Sequence, residues 1–215
     1  MQRYLVLARH GQSEYNANSR FTGWHNPPLT EQGIQEAHDV AKQVRSLGLR
    51  FDAVFSSVQD RARRTAEIIL ADLDATHLPI TANAALNERD YGQLAGLNKT
   101  EVTERWGDVQ VQQWRRGYVD TPPDGESLRD TVARALPFYL RSILPAVMRE
   151  QNSLVVAHGN SLRALIMALD GLSSEEITGV EISTGEVLVY ELKSDTSVVR
   201  KVKIGAGMQV PLISV

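Results

Sequence analysis

YLVLARHGQSEYN, residues 4–16, decides how this chain folds. Five consecutive apolar residues, Tyr4 to Ala8, run directly into a cation, an imidazole and a glycine. A short unbroken apolar run closed by turn residues reads as a strand buried on both faces. A second stretch, SLVVAHGNS (153–161), repeats the device, so two of the five histidines, His10 and His158, each follow an apolar run and precede a glycine. In sheets built from strand–helix–strand units, ligands bind outside the carboxyl ends of the strands, so both turns belong at one edge of one sheet.

Working outward, further strands are expected at Ala53–Phe55, Ile80–Ala85 (a weaker signal) and Val187–Leu192. Amphipathic helices fall between them. One carries Ile34, Ala37, Ala41 and Val44 and closes at Gly48. A second covers Asp60–Leu73 with Ala62, Ala66, Ile69 and Leu73 on one face. A third spans Ser127–Met148 with a stripe of Leu128, Val132, Leu136, Leu140, Leu144 and Val147, which Pro137 and Pro145 should kink or divide. Strands alternating with helices predict an α/β three-layer sandwich, a mainly parallel sheet flanked by helices. The 215 residues suit one domain, 1–215. The segment at about 87–125 is polar, carries Trp106, Trp114 and Tyr118, and reads as an insertion of short helices over the site, too small to bury a core of its own.

Composition excludes several classes of function. A net charge of −3 gives no global basic field, so neither nucleic acid nor an anionic membrane surface is an expected partner. With no cysteine, disulfides, thiol catalysis and thiolate metal sites drop out. No signal-like N-terminus and no apolar run of bilayer length occurs, which predicts a cytoplasmic protein. Asn98-Lys99-Thr100 matches a glycosylation sequon that such a protein would not use. HxxxH, HxH and HExxH are absent, so no metal is expected. Neither GxxxxGK[ST] nor GxGxxG occurs, and any bound anion must be held by side chains.

A neutral imidazole can attack phosphorus and carry the phosphoryl group as phosphohistidine, provided cations surround it. Arg9, beside His10, and Arg61, opening the helix after Val54–Ser57, both fall at carboxyl edges of strands, where guanidinium forks match phosphate oxygens. Arg45, Arg50 and Arg64 read instead as surface or salt-bridge residues. His158 is either a further donor to the same oxygens or a histidine locked in a tight turn. Glu88, just after the weak strand, is either a proton donor for the leaving oxygen or an ion-pair partner of Arg89 or Arg61.

These blocks resemble the histidine phosphatase superfamily. ARHGQSEYN looks like its signature, and RFTGWHNPPLTEQG, LNERDYGQLAGLNK, WRRGY and VAHGNSLRAL, in order from Arg3 to about Leu192, are similar to the cofactor-dependent phosphoglycerate mutases. The resemblance implies transfer between the 2- and 3-positions of phosphoglycerate, primed by 2,3-bisphosphoglycerate. It makes His10 the nucleophile and Glu88 the proton donor and acceptor, with Arg9, Arg61 and His158 holding the moving group. Substrate contacts are implied for Ser13, Asn16, Thr22, Gly23, Tyr91, Lys99, Arg115, Arg116, Gly159 and Asn160. A mutase must hold a second anionic end while the monophosphoglycerate reorients and must keep water from the phosphohistidine. Lys99, Arg115 and Arg116 would supply that hold.

The same histidine chemistry with water as acceptor would make a metal-independent phosphatase of small phosphate esters, and a binding protein without turnover would keep the pocket but form no phosphohistidine. The chain departs from the family at Tyr15 (usually Trp), at Asn26 (often Asp), in a shorter stretch between Arg116 and Glu126 that bears on oligomer contacts, and in its tail, GAGMQVPLISV. In the family the tail helps to cover the site. An exposed edge strand would leave room for a homodimer.

Overall fold

A computed structural model describes residues 3–204; the tail, 205–215, lies outside the described residues. The elements in chain order are β1 (Arg3–Arg9), α1 (Glu14–Ala17), α2 (Glu31–Ser46), β2 (Ala53–Ser56), α3 (Asp60–Asp72), β3 (Ile80–Ala82), α4 (Lys99–Trp106), α5 (Asp108–Arg116), α6 (Leu128–Phe138), α7 (Leu144–Met148), β4 (Ser153–Ala157), α8 (Gly159–Asp170), β5 (Val187–Leu192) and β6 (Val198–Ile204). The sheet order is β3-β2-β4-β1-β5-β6. Its first four strands are parallel, while β5 and β6 run antiparallel.

Alternation along β1 divides the core in two. Tyr4, Val6 and Ala8 pack into a cluster with Val40, Ala41 and Val44 of α2 and Ala62, Ala66 and Ile69 of α3. Leu5 and Leu7 face the other way, into Tyr139, Ile143 and Val147 and into Leu162, Leu165 and Ile166 of α8. Helices therefore cover both faces, the expected three layers, and β1 is buried on both sides because its side chains alternate between them.

Two expectations are corrected, the end of the weak strand and the buried face of the third helix, whose division at its prolines is observed as expected. The weak strand stops at Ala82, because Asn83 caps a 3₁₀ turn at Ala84–Leu86, its side chain accepting from the Ala85 N–H. The third helix is three pieces, α6, a π-turn at Tyr139–Ile143 and α7. Pro137 and Pro145 lack the N–H that a continuous α-ladder requires, and the wider turn absorbs the mismatch. The buried face runs through Leu128, Thr131, Ala135, Tyr139, Ile143 and Ala146, leaving Leu140 52% exposed. Finally, β6 has no counterpart in the sequence reading. Its alternation is masked by Arg200, Lys201 and Lys203, charges suited to a sheet edge.

The insertion forms α4 and α5, and Val102, Val111 and Trp114 do make a small apolar cluster, but only together with Phe21, which comes from outside it, and Leu94. The sequon match at Asn98 is a helix cap, its side-chain oxygen accepting from the Thr100 N–H at 2.8 Å. Among the described residues, no helix is long and apolar enough to cross a membrane.

Candidate active site

The carboxyl ends of β1 and β4 meet where the His10 N–H donates to the Ala157 carbonyl at 3.0 Å. That bond fixes the two His-Gly turns side by side. A Cβ on Gly11 would collide with the carbonyl of Gly33 at the start of α2, so the close approach of the two backbones requires glycine after His10. The rings of His10 and His158 lie 4.8 Å apart, centroid to centroid, and both are buried.

His10 Nδ1 sits 2.7 Å from the Gly11 carbonyl. A carbonyl can only accept, so Nδ1 carries the hydrogen and Nε2 keeps the lone pair. Burial, then the charges of Arg61 and Arg9, hold the imidazole well below its ordinary range, so it is neutral near pH 7. A neutral imidazole with a free Nε2 lone pair can act as a nucleophile. His158 opens α8, its Nε2 2.7 Å from the Ser57 hydroxyl, and it too is held neutral by burial and by Arg61.

Arg61 is 1% exposed and donates to the carbonyls of His25 (2.8 Å) and Gly23 (3.1 Å). Burial lowers its pKa to about 10, which leaves it charged. Arg9 Nη1 donates to the Ile182 carbonyl at 2.5 Å. In both arginines Nε is buried without a hydrogen-bond partner. One buried and one half-buried cation thus carry orphaned donors beside a neutral imidazole, an arrangement that could cradle a phosphoryl group, and among the described residues neither forms an ion pair with a carboxylate. Among the described residues there is no group of three or more His, Cys, Asp or Glu that could hold a metal ion.

Glu88 is 8% exposed, and its partners are N–H donors of the backbone and of an amide, not a guanidinium. Oε1 accepts from the Arg89 N–H (2.8 Å), the Asn160 N–H (3.2 Å) and Asn160 Nδ2 (2.8 Å). Burial raises its pKa, but the Arg89 N–H, Arg9, Asn160 and Arg61 together outweigh this and hold it below the usual carboxylate range. A Cβ on Gly159 would stand 3.8 Å from both Arg9 Cζ and Glu88 Oε2, so the free carboxylate oxygen and the guanidinium face the same space.

That space is a cavity of about 240 Å³ lined by Arg9, Glu88, Tyr91, Lys99, Gly159 and Asn160, with Arg115, Arg116 and Arg163 completing its cationic wall. The Lys99 ammonium is held below its ordinary pKa by burial and by the charge of Arg115. Arg116 is paired with the exposed Glu181 at the rim. Gly23 contributes a carbonyl to Arg61 and to Gln59, and Thr22 is buried beside it. Ser13 and Asn16 lie at the turn after His10 but bond to each other as the capping box of α1. Asn26, where the family often has Asp, bonds both ways with Asp60, its Oδ1 accepting the Asp60 N–H at 2.8 Å and its Nδ2 donating to the carboxylate at 2.6 Å, and so caps α3.

Residues 5–205 match the model of the histidine phosphatase superfamily (branch 1). The chain belongs to that superfamily. Within the superfamily it is 57% identical to a 2,3-bisphosphoglycerate-dependent phosphoglycerate mutase of Methylobacterium sp. (strain 4-46), over 94% of this chain and 97% of that one. A mycobacterial glucosyl-3-phosphoglycerate phosphatase solved with VO3 superposes with a TM-score of 0.77 at 26% identity, covering 87% of this chain and 92% of its own. A phosphoglycerate mutase of Bacillus anthracis str. Sterne shares the fold, with a TM-score of 0.74 at 22% identity, 92% of this chain and 90% of that chain being covered.

Some supporting residues escape a sequence reading. Arg134 donates to the carbonyls of Ala85 (2.9 Å), Asn87 (3.0 Å) and Glu88 (3.0 Å) while forking onto Glu126, and so holds the loop that presents Glu88. Gln59 accepts from the Glu88 N–H, and exposed Trp24 donates to the Glu88 carbonyl. Nothing in the sequence marks these three, because each acts on a backbone carbonyl or N–H far away along the chain. Arg163 is missed too, since one arginine in an apolar helix reads as a surface residue until its burial is known.

Proposed function

We propose that this protein interconverts 3-phosphoglycerate and 2-phosphoglycerate through a phosphohistidine at His10, with 2,3-bisphosphoglycerate as primer. The observation that carries the reading is 57% identity, across nearly the whole length of both chains, to a relative bearing that name. The site chemistry supports it. When bound, 2,3-bisphosphoglycerate supplies the phosphoryl group that loads the enzyme, and the orphaned Nε donors of Arg9 and Arg61 fit such a group.

Each half-reaction is an in-line displacement. In the forward transfer the P–N bond at His10 Nε2 breaks as a substrate hydroxyl oxygen bonds to phosphorus, and Glu88, ionised at neutral pH, takes the hydroxyl proton. In the reverse transfer Glu88 returns the proton to the leaving oxygen, and Nε2 regains the phosphoryl group. Arg9, Arg61 and His158 surround the equatorial oxygens and offset the charge of the transition state. Lys99, Arg115 and Arg116 hold the second anionic end while the doubly phosphorylated species turns between the two transfers. A water-accepting phosphatase would need no such second hold. We place this step of glycolysis and gluconeogenesis in the cytoplasm.

The test is isomerisation of 3-phosphoglycerate, with and without catalytic 2,3-bisphosphoglycerate and with inorganic phosphate quantified in the same tube. Primer-dependent isomer with little free phosphate is expected, unaffected by a chelator. Phosphate without isomer would make water the acceptor and the protein a phosphatase.

A further inference from the structure

We infer that Arg163 is a positioning residue for the proton carrier: it fixes the amide of Asn160 so that Glu88 is held by Oε1 alone and exchanges its proton at Oε2. The inference rests on the reading of Glu88 given above. Arg163 lies on α8 and is 7% exposed, so it is not a solvated helix-face cation. Its Nε donates to the Val180 carbonyl at 2.6 Å, and its Nη1 donates to Asn160 Oδ1 at 3.1 Å.

A guanidinium has donors only, so the Asn160 atom that faces it must be the oxygen. The amide nitrogen is thereby turned to Glu88 Oε1 at 2.8 Å. Rotated by half a turn, the same amide would point NH₂ at the guanidinium and a second acceptor at the carboxylate, losing both bonds. Oε1, already taking three donors, has no room for a proton of its own. The remaining oxygen, Oε2, is the one on the Arg9 side of the cleft. Val180 anchors the far end of the guanidinium, which makes the arrangement a fixed strut rather than a mobile contact.

Other groups also act on Glu88: Arg9 from β1, Arg61 from α3, Lys99 from α4 and Tyr91 from its own loop. Arg163 also acts on it as a charge, but it alone reaches it through the Asn160 amide as well, and a double-mutant cycle isolates that route. The variants are R163M, N160A and the pair. Glu88 is titrated by its carboxyl ¹³C resonance in unprimed protein, assigned with E88Q, and the acid limb of kcat/KM is followed for primed isomerisation.

R163M is expected to raise the Glu88 titration by about half to one pH unit and to move the acid limb with it, the cost of one weakened hydrogen bond to a charged group. In the N160A background R163M should add a clearly smaller shift, the part that its charge exerts through space. An equal shift in both backgrounds would overturn the inference, since Arg163 would then act as a charge through space. A raised KM with an unmoved titration would overturn it too, by making Arg163 a substrate contact. If R163M does not fold, the same cycle is run with R163K, which cannot span both acceptors. Wild-type protein without isomerase activity would sink the mutase reading, while the Glu88 titration would still decide the role of Arg163.

Discussion

Opposite ends of the sheet carry two cavities that look alike in composition and differ in physics. The one at the amino edge is larger, about 700 Å³, and is lined by Arg45, Arg50, His77, Asp52 and Asp74 around Leu49 and Phe51. Arginine and carboxylate line both it and the 240 Å³ cleft at the carboxyl edge, and histidine lines only the larger cavity. But its charged groups are solvated. Arg45 donates to the Asp72 carbonyl and stands 3.5 Å from Asp74, whose side chain is 93% exposed. At the carboxyl edge Arg61, Arg163 and both histidines are buried, the Nε donors of Arg9 and Arg61 are unpaired and the imidazoles are neutral. A charge already satisfied by water and by a neighbour has little to give a ligand, whereas a desolvated and unpaired one recovers its cost only when an anion arrives. Cavity size is therefore a poorer guide to the site than unspent hydrogen-bonding capacity.

The contrast can be broken hardest at His10. His10→Ala should lower primed isomerisation by on the order of 10⁴-fold or more and abolish acid-labile labelling by the primer, while ligand binding survives in the intact cationic pocket. Retained labelling would move the nucleophile elsewhere. Next comes Glu88→Gln, expected to cost about 10²- to 10⁴-fold in kcat with the fold unchanged by circular dichroism, the range for a lost general acid–base. Full activity would remove Glu88 from proton transfer.

A third test reads the burial itself. His10 and His158 have folded pKa values well below 6.5, so on acidification the unfolded chain takes up protons that the native state refuses. Their contribution to stability is complete above the unfolded value and is lost as pH falls from about 6.5 toward the depressed folded values, at up to about 1.4 kcal/mol per pH unit for each histidine. Denaturation midpoints between pH 7 and pH 5 should fall less steeply in His10→Asn than in wild type; parallel slopes would mean that His10 is not held neutral.

Smaller effects sharpen the comparison. Glu181→Gln removes the rim partner of Arg116 and should lower KM for 3-phosphoglycerate by about two- to fivefold without changing kcat, consistent with the modest worth of an exposed ion pair. At the amino edge, Arg50→Ala and His77→Ala should change kcat/KM by less than about twofold, as solvated surface substitutions do. A larger loss there would give the bigger cavity a role in the reaction.

Much of this was legible along the chain. The apolar runs of β1, β2, β4 and β5 are observed within a residue or so of the reading, because a strand buried on both faces must be apolar throughout. The solvated character of Arg45 and Arg64 was legible too, the latter pairing with Glu67. Less visible was β6, whose charged outer face hides its period, and the true buried face of α6, which runs through Thr131 and Ala135 beside the leucine stripe.

By itself the sequence determined which chemistry was available: two histidines at strand ends, arginines beside them, no thiol and no metal motif. Residue types and local periodicity settle such matters, since they depend on neighbours along the chain. Only the tertiary structure decided which groups are desolvated, which nitrogen of His10 holds the hydrogen, and which oxygen of Glu88 is free. Those properties belong to contacts such as Asn160 with Glu88 and Arg163 with Val180, made across α8 and the loops around it, and a low-dielectric pocket exists only after distant segments have closed it.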